Sequence, residues 1–404
     1  MPSKGDFDIF SEEFQRDPRK AYAHMHESCP IAKAERGDFY AVSRYEDIVS
    51  ICKDTSMWSS KHGPTLRFAD PKEPRALVNV DPPEHDIEVQ IVRQAFGGPY
   101  IQSMEDGIRQ FCIEGIDKFI DKGECDIHAE YSVPLPLYVV FKILGLDYAD
   151  VEKEGIRDWV VKATTATILA DDDTERWKTA NEAHEKMNNY FTPRLKEWAV
   201  RIENGTAAPD ENLITRLLTA EHEGVKLSPN KVLGFCYFLL GAGSTTTTTT
   251  LSNLIYRLTQ EPEQFDKLRN NMSLLPAAVD ESLRYDTPVH GLFRTNNSPV
   301  DLGPYSLPAE TKVLQLWAAG NVDPDFWEEP GKFDIERDPR KLRRHLAFGN
   351  GIHVCLGASL ARLEVKVAME ELLKRIPDFR LAGTPALAPP PVLSGFDNMP
   401  ISWR

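Results

Sequence analysis

Residues 348–357 read Phe-Gly-Asn-Gly-Ile-His-Val-Cys-Leu-Gly, and this stretch indicates more about the fold than any other. Its three glycines suit a tight turn, because glycine adopts backbone conformations that other residues avoid. Such a turn can point the sulfur of Cys355 at a metal, and backbone amides after the cysteine can stabilise a thiolate. From Ala358 the sequence has amphipathic helical spacing, and the positive end of a helix also favours a thiolate. The alternative is that Cys355 is only a small residue of the core. The glycines, Phe348 and His353 around it argue against this.

The composition is that of a soluble globular protein, with 404 residues, 41% hydrophobic and 27% charged. A net charge of −15 argues against nucleic acid or an anionic membrane as a partner. The six cysteines are scattered without zinc spacing, which favours a reducing cytoplasm. The N-terminus lacks an apolar signal core, and the longest largely apolar run, residues 232–242, is too short to span a bilayer.

Helical patterns dominate the chain, with short β segments between some of them. The predicted helices cover residues 18–27, 45–54, 100–122, 132–144, 149–169, 173–204, 212–221, 229–260 and 277–285, and two more begin at 81–85 and at 358. Predicted strands lie at 39–43 and within 289–316, and loops at 63–77 and 384–404, the latter with a terminal hairpin; residues 171–173 are a turn. Because no repeat or linker interrupts the chain, the prediction is one domain over residues 1–404, mainly α with small β-sheets.

The predicted helix over residues 229–260 is unusual at its centre. It begins with Ser228 as N-cap and Pro229 at the first position, and at about 45 Å it should run through the middle of the molecule. Residues 241–244 are Gly-Ala-Gly-Ser, and six threonines follow at 245–250. Threonine is a mediocre helix former, so a strand or a low-complexity accident is an open alternative. The functional interpretation is that small residues leave room for a bulky group against the helix.

Two charged patterns flank the cysteine stretch. Glu281 and Arg284 share one face of the helix that ends at residue 285, a spacing that is usually only a minor surface salt bridge. A basic run precedes the stretch in an otherwise acidic chain, and its plain interpretation is a solvated turn. It contains Arg340, Lys341, Arg343 and Arg344.

In this order and near these spacings, the patterns resemble the cytochrome P-450 superfamily, specifically its soluble bacterial members. The cysteine stretch matches the family's F-x-x-G-x-H-x-C-x-G motif at every defined position, and the resemblance extends over residues 81–393. It implies the cytochrome P-450 fold, a single triangular haem domain with a long central distal helix. The implied cofactor is haem b (iron protoporphyrin IX).

The resemblance implies roles around the haem. Cys355 would be the thiolate ligand of the iron, with Phe348 packed near the sulfur. The amides of Leu356 and Gly357 would hydrogen-bond the thiolate. Basic residues would meet the haem carboxylates. They are His85, Arg294 and His353.

Further implied roles lie on the helices. Thr246 matches the distal threonine that helps deliver protons, and Ala242 and Gly243 match the small residues that let the helix kink and make room. A buried network beneath the haem would support folding and haem retention. It consists of Glu281, Arg284 and Arg337.

Three departures from the family pattern bear on these roles. Thr245 stands where the family usually has an acid, so the usual carboxylate relay is missing, and a hydroxyl has no pKa near neutrality. Val89 stands where an arginine is frequent, which removes one contact to a haem propionate or to a partner. Val322 after Asn321 replaces another arginine, which lowers the positive charge on the proximal side.

The implied activity is that of a monooxygenase that inserts one atom of O2 into a C–H bond or removes an O-alkyl group. Electrons would come from NAD(P)H through a ferredoxin reductase and a ferredoxin (2Fe–2S or similar), for which the basic run is the predicted docking surface. We expect a monomer and a small-to-medium hydrophobic substrate, with His290 or Arg67 as candidate polar contacts. The predicted pocket residues are Leu66, Phe68, Leu239, Val289, Leu292, Phe293 and Phe396.

Other functions stay open at this point. Because Thr245 replaces the acid, the protein could use peroxide or act as a specialised reductase or isomerase, although the retained Thr246 argues against this. A non-catalytic haem-binding sensor ranks lower, since no effector domain is visible. A purely structural cysteine without haem ranks last, because the whole motif is present.

Overall fold

Helices form most of the molecule, as a computed structural model shows; it describes residues 7–67, 77–95, 97–168, 174–388 and 394–403. The helices are α1 (Glu12–Arg16), α2 (Pro18–Ser28), α3 (Tyr45–Lys53), α4 (Glu84–Ala95), α5 (Gly98–Gln102), α6 (Glu105–Asp117), α7 (Pro134–Leu144), α8 (Asp150–Glu154), α9 (Ile156–Ile168), α10 (Thr174–Glu203), α11 (Leu213–Thr219), α12 (Pro229–Gln260), α13 (Pro262–Asn270), α14 (Leu275–Tyr285), α15 (Trp317–Gly320), α16 (Pro339–Leu342) and α17 (Ala358–Arg375). A π-helical turn, His128–Ser132, precedes α7.

The strands are short and belong to small sheets. They are β1 (Ile31–Lys33), β2 (Phe39–Val42), β3 (Trp58–Ser59), β4 (Glu124–Asp126), β5 (Glu221–His222), β6 (Val225–Lys226), β7 (Leu292–Asn296), β8 (Val300–Leu302), β9 (Tyr305–Leu307), β10 (Lys312–Gln315), β11 (Arg380–Leu381), β12 (Ala386–Leu387), β13 (Phe396–Asn398) and β14 (Pro400–Ser402). The largest sheet has the order β1-β2-β10-β7-β3, in which β10 is parallel to β2 and the other pairs are antiparallel. The predicted class, mainly α with small sheets, is confirmed.

The long helix α12 begins and ends where the sequence predicted, and it includes all six threonines. The strand alternative for the threonine run is wrong. Threonine is accommodated because its hydroxyl can bond the carbonyl four residues earlier: Thr246 Oγ1 donates to the carbonyl of Ala242 (2.7 Å) and Thr250 Oγ1 to that of Thr246 (2.8 Å). Helices α7, α10, α14 and α17 pack around α12, so tertiary burial outweighs the weak intrinsic propensity.

Several predicted boundaries differ from the structure. The helix predicted over 100–122 is divided into α5 and α6. The helix predicted over 149–169 is interrupted at Gly155, whose left-handed φ of +72° ends α8. Near the C-terminus a short hairpin joins β12 and β13, whereas β14 pairs with β4 and β11. The predicted turn at 171–173 and most of the predicted loop at 63–77 lie outside the described residues.

The largest apolar core surrounds α12, and two smaller clusters lie on either side of the five-stranded sheet. One of these packs the N-terminal segment and α2 against the sheet, and the other packs α3 against it. Within the described ranges, no helix has both the length and the apolar character needed to cross a bilayer. The arrangement brings the cysteine turn between α3 and the start of α17.

Candidate functional site

The turn before α17 is shaped by two glycines with positive φ. Gly349 and Gly351 both have φ near +70°, a backbone angle that residues other than glycine rarely adopt. The backbone N–H of Cys355 donates to the carbonyl of Phe348 (2.9 Å) and closes the turn. A Cβ on Gly351 would lie 2.2 Å from the carbonyl oxygen of Cys52 in α3, so the turn also depends on close backbone contact. The local sequence therefore sets the direction in which Cys355 projects.

The thiol of Cys355 has accessible surface, whereas the other five cysteines are buried. Protein atoms still surround it, and this burial raises its pKa; the backbone amides of Gly357 and Ala358 and the nearby charge of Arg362 act in the opposite direction. The predicted amide pair was Leu356 and Gly357; in the structure the second amide near the sulfur belongs to Ala358, the first residue of α17. The residue thus keeps accessible surface, while its sulfur lies near groups that stabilise a thiolate.

The three predicted basic residues lie close together. The rings of His85 and His353 have their centroids 4.4 Å apart, and Ser60 Oγ lies 3.0 Å from His353 Nε2. Burial lowers the pKa of His353 to about 3, and Arg294 and His85 lower it further by charge repulsion. Arg294 is buried, and burial likewise lowers its pKa. Arg294 therefore supplies the positive charge of this buried group, because a pKa of about 3 leaves His353 neutral near pH 7.

Arg294 and Cys355 suit a haem, the first by its charge and the second as a ligand of the iron. Arg294 donates a hydrogen bond to the carbonyl of Phe293 (2.9 Å), and no salt bridge to it occurs within the described part of the chain. A buried cation of this kind needs an anion, which the carboxylates of a haem would supply. The described residues also contain no cluster of three or more histidine, cysteine or acidic side chains that could hold a metal. A metal bound by Cys355 would therefore need its other ligands from a cofactor, as iron in haem has.

Glu281, Arg284 and Arg337 form a buried network, although the spacing of the first two is usually a surface pair. Arg284 makes two hydrogen bonds of 2.7 Å to the Glu281 carboxylate, and both side chains are fully buried. It also donates to the carbonyls of Asn321 and Pro330. Arg337 Nε donates to Glu281 Oε1 (3.0 Å). The network therefore connects α14 to the irregular segment that leads towards the cysteine turn.

Asn321 extends this network to the turn itself. Its amide Nδ2 donates to Thr287 Oγ1 (2.8 Å), and its Oδ1 accepts from the backbone N–H of Leu346 (2.6 Å), two residues before Phe348. Val322, which stands at a position where an arginine was expected, packs against the second apolar cluster. In the sequence, Asn321 was noted only as the residue before Val322, yet it links the two elements.

Successive threonines of α12 face different surroundings. Thr246 and Ala242 are on one face, and Ala242 is exposed although it lies in the middle of a central helix. Gly243 faces α7. A Cβ added to it would lie 3.2 Å from the side chain of Val140 on α7 and 3.4 Å from that of Leu239 on α12 itself. Gly243 therefore serves helix packing, while Ala242 borders open space. The helix is continuous through these residues.

The predicted substrate-pocket residues pack in three parts of the core. Leu66, Val289 and Phe293 belong to the cluster under α2, where the ring of Phe293 meets that of Phe39 (5.1 Å between centroids). Leu292 packs with the α3 cluster, Leu239 and Phe396 pack with the main core, and Phe68 lies outside the described residues. His290, offered as a polar contact, is instead buried with its Nδ1 2.6 Å from Tyr22 Oη.

The four basic residues before the turn divide into two pairs. Arg340 and Arg343 are exposed, and neither forms a salt bridge within the described residues. Lys341 and Arg344 instead lie over the ring of Phe326, at 3.4 and 4.5 Å from its centroid. The first pair is thus a free positive surface, and the second is anchored by aromatic contacts.

Several other polar groups near the site had no signal in the sequence. His345 and Arg362 both contact Asp280 (3.4 and 2.6 Å), and Arg362 also lies over the ring of Phe348 at 4.5 Å. Lys312 is buried and donates to the carbonyls of His62 (3.0 Å) and Gly63 (2.9 Å). No local pattern marked Lys312, because all four residues of β10, Lys-Val-Leu-Gln, are buried whether polar or apolar.

Comparison with known proteins agrees with this geometry. A sequence model of the family Cytochrome P450 matches residues 159–395. Cytochrome P450 monooxygenase PikC of Streptomyces venezuelae is 31% identical over 417 aligned residues, covering 99% of this chain and 94% of that protein. The structure of CYP109Q5 from Chondromyces apiculatus superimposes with a TM-score of 0.87 at 31% identity, covering 99% of both chains. The structure of CYP109E1 from Bacillus megaterium in complex with testosterone has a TM-score of 0.83 at 28% identity, covering 96% of this chain and 99% of that chain.

These matches extend over nearly the whole chain, and the aligned relatives include named monooxygenases. The cofactor that the family implies is a haem iron, which the accessible Cys355 and the buried Arg294 suit. Taken together, the motif, the buried network and the matches show that this chain belongs to the cytochrome P450 family of monooxygenases.

Proposed function

We propose that this protein binds haem b and inserts one atom of O2 into a small-to-medium hydrophobic substrate, by hydroxylation or O-dealkylation. Electrons come from NAD(P)H through a ferredoxin reductase and a ferredoxin. The observation that carries the proposal is the accessible Cys355 thiol on its glycine turn, together with the buried Arg294, which has no salt bridge within the described residues. A reduced sample with carbon monoxide tests it: the red-shifted absorption band of a thiolate-ligated haem is expected, and its absence would refute the proposal.

Different residues of the chain have different roles in this reaction. Cys355 binds the iron, and the amides of Gly357 and Ala358 hold the negative charge of its sulfur. Arg294, with His85 and His353, binds the haem carboxylates. When bound, the haem supplies the activation of O2, while the protein positions the substrate and controls water.

Thr246 is proposed to hold protons at the distal side. Its hydroxyl bonds the Ala242 carbonyl (2.7 Å) and lies on the face of α12 that borders open space. Replacing Thr246 by Ala removes this hydroxyl without filling the space, so electrons should be diverted to hydrogen peroxide. The measurement is product and peroxide formed per NAD(P)H consumed. Unchanged coupling would remove the role assigned to Thr246.

The exposed pair Arg340 and Arg343 is proposed to attract an acidic ferredoxin. The chain carries a net charge of −15, so an unpaired positive surface beside the cysteine turn is a distinct local feature. Charge complementarity acts mainly on the association rate and weakens with salt. Charge reversal of both arginines should therefore slow reduction by ferredoxin at low salt. Charge reversal of Arg16, which is exposed on α1, is the control and should have little effect.

The substrate class rests on the apolar character of exposed residues in the middle of α12. Ala242 is exposed there, and 41% of Phe238 is also exposed on the same helix. The similar protein CYP109E1 binds testosterone in its crystal structure, which makes steroid-sized apolar compounds a reasonable set to screen. The measurement is the spin-state shift of the haem spectrum on titration. A screen in which only polar compounds produce a shift would contradict this class.

A second candidate function is peroxide-driven oxidation. The observation that favours it is Thr245, which offers a hydroxyl where the family usually has an acid. Turnover is measured once with the ferredoxin system and once with added peroxide. The faster of the two reactions shows which function the protein has. A sensor without turnover ranks below both, and it would show haem binding with neither activity.

We also propose that the protein is a cytoplasmic monomer. All six cysteines are free thiols and five of them are buried, which suits a reducing compartment. Sedimentation of the haem-loaded protein tests the oligomeric state, and a concentration-independent mass of 45.6 kDa plus haem is expected.

A further inference from the structure

The cysteine turn packs on the last turn of α3, and Cys52 lies at the centre of this contact. A Cβ added to Gly351 would lie 2.2 Å from the carbonyl oxygen of Cys52, so the two backbones touch. Cys52 is also buried here, with only 5% of the residue exposed. Both its backbone and its side chain are therefore placed to affect the turn that carries Cys355.

The thiol of Cys52 belongs to a chain of hydrogen bonds whose direction is fixed. Oε1 of Gln315, in β10, accepts from the indole Nε1 of Trp317 (3.3 Å) and from the Sγ of Cys52 (3.4 Å). An indole nitrogen can only donate, so the oxygen of the Gln315 amide must face both side chains. The sulfur then uses its hydrogen towards Gln315, and its lone pairs are left for another donor.

The backbone N–H of Asn350, within the cysteine turn, is that donor. Burial raises the pKa of the Cys52 thiol, and the charge of Arg294, the amide of Asn350 and the indole of Trp317 act against this rise. The side chain is therefore a neutral thiol near pH 7, which can donate one hydrogen bond and accept another at the same time.

Gln315 joins the side chains that support the turn. It is fully buried, and its Nε2 has no hydrogen-bond partner in the described part of the chain. Because an apolar side chain would avoid the cost of this unpaired donor, the stability of the core does not account for a glutamine here. Its Oε1 instead holds Cys52, which bonds Asn350, and Trp317, whose ring would lie 3.5 Å from a Cβ added to Gly349.

We propose that Cys52 is a positioning residue for the iron ligand, because its thiol anchors the cysteine turn to α3 and, through Gln315, to the five-stranded sheet. The turn is closed by the bond from the Cys355 N–H to the Phe348 carbonyl (2.9 Å), and Asn350 lies between these two residues. Anchoring Asn350 keeps the closed turn from tilting about its ends and so holds the Cys355 sulfur in one direction. The effect on iron rests on the proposed function, whereas the anchoring is a property of the chain itself.

Amide hydrogen exchange in the turn measures the anchoring. In Cys52→Ala the turn should exchange roughly fivefold faster, as expected for the loss of one hydrogen bond. Cys125→Ala in β4 is the matched control, because it removes the same atoms from a similarly buried site, 7% exposed. It should leave exchange in the turn unchanged. Equal exchange of the turn in the two variants would overturn the proposal.

A second variant, Gln315→Leu, tests the same chain of bonds while keeping Cys52. It removes the acceptor of the thiol but leaves the sulfur able to accept from Asn350, so exchange in the turn should rise by less than in Cys52→Ala. If Cys52→Ala does not fold, Gln315→Leu is compared with Cys125→Ala in its place. A turn that exchanges at the same rate in these two variants would refute the anchoring.

The spectrum of the reduced, haem-loaded protein with carbon monoxide measures the consequence for the iron. The red-shifted band should decay several-fold faster in Cys52→Ala than in Cys125→Ala, because a turn without its anchor keeps the thiolate on the iron less well. A loss of core packing alone would affect both variants alike, so equal decay would overturn the positioning role.

The two measurements also separate this proposal from the proposed function. If the unmodified protein lacks the red-shifted band, the proposed function fails. Faster exchange of the turn in Cys52→Ala than in Cys125→Ala then still supports the anchoring, and equal exchange still refutes it.

Discussion

Arg284→Ala should remove more stability than any other single change near the site. Arg284 and Glu281 are both fully buried, and their bidentate pair has two hydrogen bonds of 2.7 Å. The substitution leaves the Glu281 carboxylate with Arg337 as its remaining cation at 3.0 Å. It also takes the donor from the carbonyls of Asn321 and Pro330, whereas the carbonyl of Lys332 keeps its bond from Arg337.

The magnitude follows from these contacts. Removing one partner of a buried ion pair costs about 3–5 kcal/mol, and each carbonyl that loses its donor costs about 1 kcal/mol more. The expected loss is therefore about 5–7 kcal/mol, against a total unfolding free energy of about 5–15 kcal/mol for ordinary proteins. Most of the Arg284→Ala protein should fail to fold, and what folds should retain little haem.

Urea unfolding followed by circular dichroism measures the effect, with the slope against urea checked for constancy. Arg337→Ala is the matched control: its side chain is 12% exposed and Arg284 remains to pair Glu281, so the loss should be about 2–3 kcal/mol. Arg284→Lys should not restore stability, because a single ammonium cannot reach the carboxylate and both carbonyls. The reasoning is refuted if Arg284→Ala unfolds within about 1 kcal/mol of the unmodified protein.

Three further changes test other parts of the structure. Gly351→Ala should destabilise the protein strongly and lower its haem content, because the new Cβ would lie 2.2 Å from the Cys52 carbonyl oxygen. Gly155→Ala is the control, because Gly155 has a similar φ of +72° but no neighbour within 4 Å. It should cost only about 1–2 kcal/mol in unfolding free energy. Burial raises the pKa of Glu364 well above its usual 4.5, so the folded protein keeps it neutral and loses stability as pH rises above that value. Glu364→Gln should therefore become more stable relative to the unmodified protein between pH 5 and pH 7, and a constant difference in the urea midpoint would contradict this. Burial, with Arg294, lowers the pKa of Lys312 from 10.5 to about 7, so between these values the unfolded chain binds more protons and stability should rise with pH. Lys312→Met should flatten that rise, and an unchanged slope of stability against pH would show that Lys312 does not cause it.

The local sequence determined the features whose cause is also local. The glycines at 349 and 351 shape the cysteine turn because the left-handed backbone excludes side chains, and Ser228 with Pro229 starts α12 because they supply a cap and a fixed φ. The motif around Cys355 is local in the same sense, and its residues were enough to indicate the haem-thiolate family. The length of α12 was predictable for the same reason, because Pro262 limits its continuation.

Other features depend on residues distant in sequence, and only the tertiary structure decided them. Glu281 and Arg284 have the spacing of a surface pair, and their burial comes from the packing of the segment around Asn321 and Arg337 against α14. Phe293 was predicted at the substrate, but its ring packs on Phe39 because β7 and β2 belong to the same sheet.

Thr245 shows the difference most clearly. The sequence determined that a hydroxyl stands at this position instead of an acid, which is a local fact. The structure decided that this hydroxyl borders a cavity reaching the surface beside Arg157 and Asp397, because α9 and the β12–β13 hairpin come together over α12. A cavity is space left between elements that are far apart in the chain, so no local pattern can specify it.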